Sequence, residues 1–229
     1  MTKEIPKEIV SAFEALVASA SQQPLGAWGD LASSVGFDGQ KFGLDGDLFY
    51  TQARAAVVAS AVHFAQTDKS GAAYIDHPAR VHRIARDFSL PAGGFSSAQT
   101  EAALCAALLH DVIEDSQESF HRHVSSADLK ALGFSSLTIE LVELLTFNAP
   151  AGVSEAEKLK LKQSYLERIA ANPLAREVKL ADTCDNMNKA RQAVLTADKQ
   201  AQFAGKYANY MTVLEFDPAT DWFANSVNR

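Results

Sequence analysis

The sequence predicts an all-α fold. Helical periodicity recurs along most of the chain, strand-like alternation is scarce, and short Gly-, Pro- and Asn-containing breaks separate the segments. Ile9, Phe13, Leu16 and Val17 mark a first amphipathic helix. Residues 20–50 are looser, with Gly26, Gly36, Gly39, Gly43 and Gly46, and read as loop plus short helices. Residues 51–66 form a helix. Pro78 starts the next one, through Val81, Ile84 and Ala85, because proline fits a helix's first turn. Pro91-Ala92-Gly93-Gly94 breaks the chain, and a central helix covers about 98–113. A polar stretch follows, then a helix near 136–146. Asn148-Ala149-Pro150-Ala151-Gly152 is a loop. Ser154, with Glu157 three residues on, is a capping box. Helices at about 154–171, 173–195 and 198–214 complete the chain. The expected division is an N-terminal helical and loop extension over 1–45, a helical-bundle domain over 46–216 and a C-terminal tail over 217–229.

Composition narrows the function. A chain of 229 residues, 47% hydrophobic, can bury one sizeable core. A net charge of −7 without a long basic run argues against nucleic acid or an anionic membrane as main partner. It leaves room for a local basic pocket that takes a small phosphate ligand. Cys105 and Cys184 make no Cys-x-x-Cys pair, and Cys105 in its apolar run reads as a small core hydrophobe. The start of the chain lacks a basic region followed by an apolar one, and no 18-residue apolar run exists. These features predict a reduced, cytoplasmic protein. The oligomeric state stays open.

The chemistry gathers at one place. Ala102–Leu109 is apolar all round, which predicts a buried helix. It runs straight into His110-Asp111-Val112-Ile113-Glu114-Asp115. Unpaired charges at a buried helix end are costly, so a metal, a counter-charge or a catalytic role is expected there. His77, just before Pro78, and Asp182 complete an N/O donor set with His110 and Asp111. Two histidines and two carboxylates without thiolates suit Mn²⁺, Fe²⁺ or Zn²⁺, with Mg²⁺ as a further alternative. Glu114 and Asp115, each one turn beyond a ligand, stand where an acid or base would serve the attacking water. Asp182, Asn186 and Lys189 recur at helical spacing and predict one polar stripe. Asp182 also has Lys179 and Lys189 as candidate ion-pair partners. His121 and His123 read as surface residues. His63 and His82 stand as either supporting groups or ordinary helix-face residues. No phosphate loop, dinucleotide fingerprint, His-Glu-x-x-His or Gly-x-Ser-x-Gly is present.

Three ordered segments carry a resemblance: Tyr74-Ile75-Asp76-His77-Pro78-Ala79-Arg80-Val81, then Ala106 through Asp115, then Val178-Lys179-Leu180-Ala181-Asp182-x-x-x-Asn186. Over about residues 51–195 the chain resembles HD-domain phosphohydrolases, most closely small stand-alone guanosine tetraphosphate (alarmone) hydrolases of the RelA/SpoT type, enzymes of the stringent response. The resemblance implies Mn²⁺ held by His77, His110, Asp111 and Asp182. It implies Glu114 and Asp115 as catalytic acids that assist water against a 3′-diphosphate, and Asn186 in the nucleotide pocket. Lys69 and Lys179 are expected to offset phosphate charge, with Ser70 and Tyr165 lining the pocket. Asp68, Thr183 and Asn188 stand where the family prefers basic residues. An acid at position 68 in place of an arginine predicts altered base preference and weak binding, improved by Asp68→Arg. The competing readings are an HD-type hydrolase of another nucleotide or phosphate ester and a non-catalytic metal- or nucleotide-binding regulatory domain.

Overall fold

The computed structural model describes residues 4–19 and 25–216. Residues 20–24 of the loose stretch and the tail expected at 217–229 lie outside them. The described residues form helices with one isolated bridge, Thr67 to Ala73, and no strand. In order these are α1 (Lys7–Ala18), α2 (Leu25–Ser34), a 3-10 turn (Gly39–Phe42), α3 (Thr51–Val62), α4 (Asp76–Ile84), a π-type turn (Ala85–Ser89), α5 (Leu90–Ala92), α6 (Ser97–Leu109) and α7 (Val112–Ser119). Then follow α8 (Ser126–Ala131), α9 (Ser136–Leu145), α10 (Glu155–Ala170), α11 (Pro173–Asn186), α12 (Lys189–Gln192) and α13 (Ala197–Val213).

Helix α6 is the hub. It packs against α3, α4, α9 and α11, so every face from Ala102 to Leu109 is buried. Its alanines, Ala102, Ala103, Ala106 and Ala107, meet an equally alanine-rich α3, with Ala55, Ala56, Ala59 and Ala61 buried. Small side chains at a crossing shorten the distance between helix axes. Ile9, Phe13 and Leu16 of α1 and Trp28 and Leu31 of α2 join the same buried cluster. Phe13 meets Phe120 edge-on at 5.3 Å. Residues 4–19 and 25–45 thus supply core to the bundle.

The helix expected over 51–66 ends at Val62, and the expected helix breaks differ at four further places, each with a local cause. The central helix stops at Leu109, not 113. His110 and Asp111 form a turn, Asp111 at φ −99° and ψ −4°, and α7 restarts the chain at Val112. Helix α4 begins two residues before Pro78, which occupies its first turn where a missing N–H costs nothing. Helix 173–195 is interrupted after Asn186, because the Asn188 side chain accepts from the Ala190 and Arg191 amides and starts α12. Lys189 therefore leaves the Asp182–Asn186 stripe and is exposed. The polar stretch after 113 holds α7 and α8, the latter opened by a Ser125–Asp128 capping box. The Ser154–Glu157 box forms as expected.

His82 of α4 is fully buried, with Nε2 donating to the Gln52 side-chain carbonyl at 2.8 Å. Burial, aided by Arg86, holds its ring down at about 4. The unfolded chain takes a proton at His82 below about pH 6.5, and the folded chain only below about 4. Its contribution to stability is therefore complete above pH 6.5 and is lost as pH falls toward 4, by up to about 3 kcal/mol. His82→Gln keeps a donor for Gln52 and removes the titration. Its Tm is expected to fall less than that of wild type between pH 7 and 4.5. Parallel curves would assign acid sensitivity elsewhere.

Candidate metal centre and cavity

Three helix ends converge. The first turn of α4 places His77, the turn closing α6 places His110 and Asp111, and the last turn but one of α11 places Asp182. His77 Nε2 lies 3.2 Å from Asp182 Oδ1 and 3.8 Å from Asp111 Oδ2. His110 Nε2 lies 3.0 Å from Asp111 Oδ2 and 4.0 Å from Asp182 Oδ1. His77, His110 and Asp111 each offer a ligand atom within 4.8 Å of the others.

The opposite ring nitrogens decide the tautomers. His110 Nδ1 lies 2.9 Å from the Ala107 carbonyl, which can only accept, so Nδ1 carries the hydrogen. His77 Nδ1 donates to Asp185 Oδ2 at 2.7 Å. Both Nε2 lone pairs therefore face the two carboxylates, and the buried His110 Nε2 has no hydrogen-bond partner. Lone pairs and carboxylates aimed at one point repel unless a cation joins them. Without a metal the cations are protons. Burial pulls the His77 ring down, but Asp182 and Asp185 overcome it and raise it to about 9. The same balance raises His110, chiefly through Asp111. Burial opposes ionisation of Asp111, yet His110 and His77 hold it well below the usual carboxylate range. A divalent ion fits this donor set, with the Asp185–His77 pair orienting a ligand from outside.

Further partners shape each group. Tyr74 donates its hydroxyl to Asp111 Oδ2 at 2.5 Å. Asp182 Oδ2 pairs with Lys179 at 2.7 Å, and the Asn186 amide donates to Asp182 Oδ1 at 2.6 Å. Glu114 accepts from the Phe147 backbone amide at 2.9 Å, and burial raises its carboxyl above the ordinary range. Asp115 accepts from Gln66 at 2.8 Å, and burial followed by Asp111 pushes it up to about 6. Gln66 also accepts from His63 Nδ1 at 2.6 Å, which makes His63 a supporting group. His82, bonded to Gln52, supports the fold instead. His121 and His123 are exposed.

A cavity of about 390 Å³ opens over this centre. His77, Asp111, Glu114 and Asp182 form part of its wall. Lys69, Ser70, Tyr165, Lys179 and Asn186, singled out from sequence, line it too. Asp115 is not among the lining residues. Several chemistries differ from expectation. Tyr165 donates its hydroxyl to the Leu145 carbonyl at 2.5 Å and so ties α10 to α9. Ser70 spends its hydroxyl on Asp68 Oδ1 at 2.5 Å. Lys179 is already paired with Asp182. Sequence reasoning missed Lys162, Arg191 and Lys206 and the rings of Phe147, Phe203, Tyr207 and Tyr210, which come from α10, α12, α13 and the loop after α9. Phe203, Tyr207 and Tyr210 recur at helical spacing with Lys206 between them, a readable signal of one aromatic–cationic face. Burial and neighbouring lysines pull Lys206 down to about 8, against the pull of Asp182.

The HD domain family profile matches residues 74–187, which contain His77, His110, Asp111, Glu114, Asp115 and Asp182. The chain is 35% identical over 158 residues to the guanosine-3′,5′-bis(diphosphate) 3′-pyrophosphohydrolase of Vibrio cholerae, covering 65% of this chain and 19% of that protein. It is 33% identical over 144 residues to the bifunctional (p)ppGpp synthase/hydrolase SpoT of Escherichia coli, covering 58% and 17%. It is 33% identical over 155 residues to a probable guanosine-3′,5′-bis(diphosphate) 3′-pyrophosphohydrolase of Synechocystis, covering 66% and 18%. The chain thus spans less than a fifth of the length of these relatives. Matched over the stretch that builds the His/Asp centre, this chain carries an HD domain and belongs to the HD-domain family.

Proposed function

We propose that the chain is a divalent-metal-dependent phosphohydrolase that removes the 3′-diphosphate from guanosine 3′,5′-bis(diphosphate) or a closely related purine nucleotide. One observation carries the proposal: a histidine and carboxylate donor set, with both outer ring nitrogens already committed, lies at a nucleotide-sized cavity whose wall includes His77, Asp111 and Asp182 and that also presents Lys69, Lys162, Lys179 and Lys206. The names of the relatives supply the substrate. We assign His77, His110, Asp111 and Asp182 as ligands of Mn²⁺, with Fe²⁺, Zn²⁺ and Mg²⁺ as arms of the loading assay. We assign residues 46–216 as the hydrolase unit of a cytoplasmic enzyme. A bound ion would polarise the attacked phosphate and balance its charge.

The residues divide the remaining work. Glu114, on the cavity wall and with its carboxyl raised by burial, accepts the proton of the attacking water. The water oxygen bonds to the phosphorus attached to the 3′-oxygen. The bond between that phosphorus and the 3′-oxygen breaks, pyrophosphate leaves, and the 3′-oxygen takes up a proton. Asp115, outside the cavity wall, fixes the Gln66 end of the loop. Asn186 and Lys179 aim Asp182. The lysines on α10 and α13 hold the phosphates.

The test is release of pyrophosphate from guanosine tetraphosphate with each metal in turn. Equal amounts of guanosine diphosphate and pyrophosphate are expected, fastest with Mn²⁺. Binding without product under every metal would make the chain a binding module. Lys206→Met is expected to raise KM about tenfold, ~1.4 kcal/mol, with kcat unchanged. In wild type the affinity should fall above pH 8, as the Lys206 ammonium is lost. An unchanged KM would place the phosphates away from α13.

A further inference from the structure

We infer that Arg191 is the base-stacking residue of the cavity: with both fork nitrogens tied to carboxylates, its guanidinium is left with a planar face for a heteroaromatic ring. This deepens the nucleotide reading above and rests on it. Arg191 Nη1 donates to the Asp185 carboxylate and, at 3.2 Å, to the Asp185 carbonyl. Its Nη2 donates to Asp68 Oδ2 at 3.2 Å. Asp185 also takes the Arg80 guanidinium at 2.6 Å and the His77 Nδ1–H at 2.7 Å, so Arg191 lies in a network of carboxylates and cations. Such a guanidinium has its charge offset by the two carboxylates it touches, and its Nη1–Nη2 edge is not free to grip a phosphate. A planar face remains, which suits stacking on a base.

The other cations of the cavity are built differently. Lys69 sits over the Phe203 ring at 4.2 Å, Lys162 over Phe147 at 5.0 Å and Lys206 over Tyr207 at 4.7 Å. None of the three is in an ion pair among the described residues. Their charge is available to phosphates. The cavity therefore separates its tasks: lysines for the anionic groups, Arg191 for the ring.

Asp68 is the anchor of this arrangement. Its Oδ1 accepts from the Ser70 amide at 2.8 Å, the Ser70 hydroxyl and the Ala72 amide at 3.1 Å. These bonds shape a turn in which Gly71 takes φ +86°, a conformation that suits glycine. The turn delivers Oδ2 to Arg191. Asp68→Arg loses all these bonds and sets two guanidinium groups against each other, so it weakens nucleotide binding, contrary to the expectation from sequence.

The experiment is calorimetric titration of wild type and Arg191→Lys with guanosine 3′,5′-bisphosphate and with base-free ribose 3,5-bisphosphate. Wild type is expected to bind the nucleotide about tenfold more tightly, the lower end of the range for one stacked base. Arg191→Lys keeps the charge and loses the plane. It should erase that gap and leave the base-free probe unaffected. A gap that survives in the variant, or equal weakening of both probes, overturns the inference. Should Arg191→Lys not fold, Asp68→Asn carries the test, because releasing Nη2 should narrow the gap, and an unchanged gap overturns it. A wild type that shows the gap but releases no pyrophosphate defeats the hydrolase reading and supports Arg191. A wild type with no preference for the nucleotide overturns Arg191 whatever the hydrolysis assay gives.

Discussion

Glu114→Gln lowers pyrophosphate release by about two orders of magnitude or more, the usual scale for losing a general acid or base, while metal content and Tm remain those of wild type. Glu114 is the carboxylate of the Glu114-Asp115 pair that lines the cavity. Its Oε2 accepts from the Phe147 amide. Glutamine keeps the size and an acceptor oxygen for that amide, so the loop after α9 should hold its place. What it removes is the ability to take a proton. Asp115→Asn is the control. Asp115 stands off the cavity wall with Gln66 as its partner, so its loss should be smaller and should act through the Gln66–His63 pair. Full activity in Glu114→Gln would move the proton acceptor elsewhere. A loss in Asp115→Asn equal to that in Glu114→Gln would show that the cavity wall does not distinguish the two acids.

The convergence of His77, His110, Asp111 and Asp182 was legible because these residues carry their own context. His77 opens a helix before Pro78, His110-Asp111 ends the most apolar run, and Asp182 sits on an amphipathic helix. Each is anomalous where it stands, and one helical bundle can bring such helix ends together. The α6–α7 break was hidden because Val112 and Ile113 continue the apolar run past the turn. The α11–α12 break had a signal in Asn188, whose side chain satisfies two orphan amides. The cations of the cavity were not legible. A lysine on an amphipathic helix such as α10 or α13 normally faces water, and only the tertiary packing of those helices places Lys162 and Lys206 on the cavity wall. Asp68 and Asp185 illustrate the same limit. Asp68 is read only against the family's basic residue, and Asp185 is not singled out from sequence. Their meaning lies in Arg191, 123 residues from Asp68 along the chain, which no local pattern announces.

Asp182→Asn lowers affinity for the divalent ion by about a hundredfold, at the upper end of what even the loss of an outer partner costs, and it also destabilises the metal-free protein by about 3 kcal/mol. The two effects have separate origins. Oδ1 faces the His77 and His110 Nε2 atoms, and loss of the carboxylate charge weakens the grip on the ion. Oδ2 holds Lys179, which burial would otherwise discharge and which Asp182 keeps well above its ordinary range. Without that acid, Lys179 is a buried ammonium between Tyr165 and Tyr210, and it must either lose its proton or leave. The metal-binding defect therefore comes with a loss of stability. His110→Gln separates the two roles, because His110 has no bond to Lys179. It should lose the ion with a smaller loss of metal-free stability. Elemental analysis after dialysis reads the first effect and chemical denaturation in chelator the second. Wild-type metal content in Asp182→Asn, with stability lost, would leave Asp182 as the counter-ion of Lys179 alone and reduce the donor set to His77, His110 and Asp111.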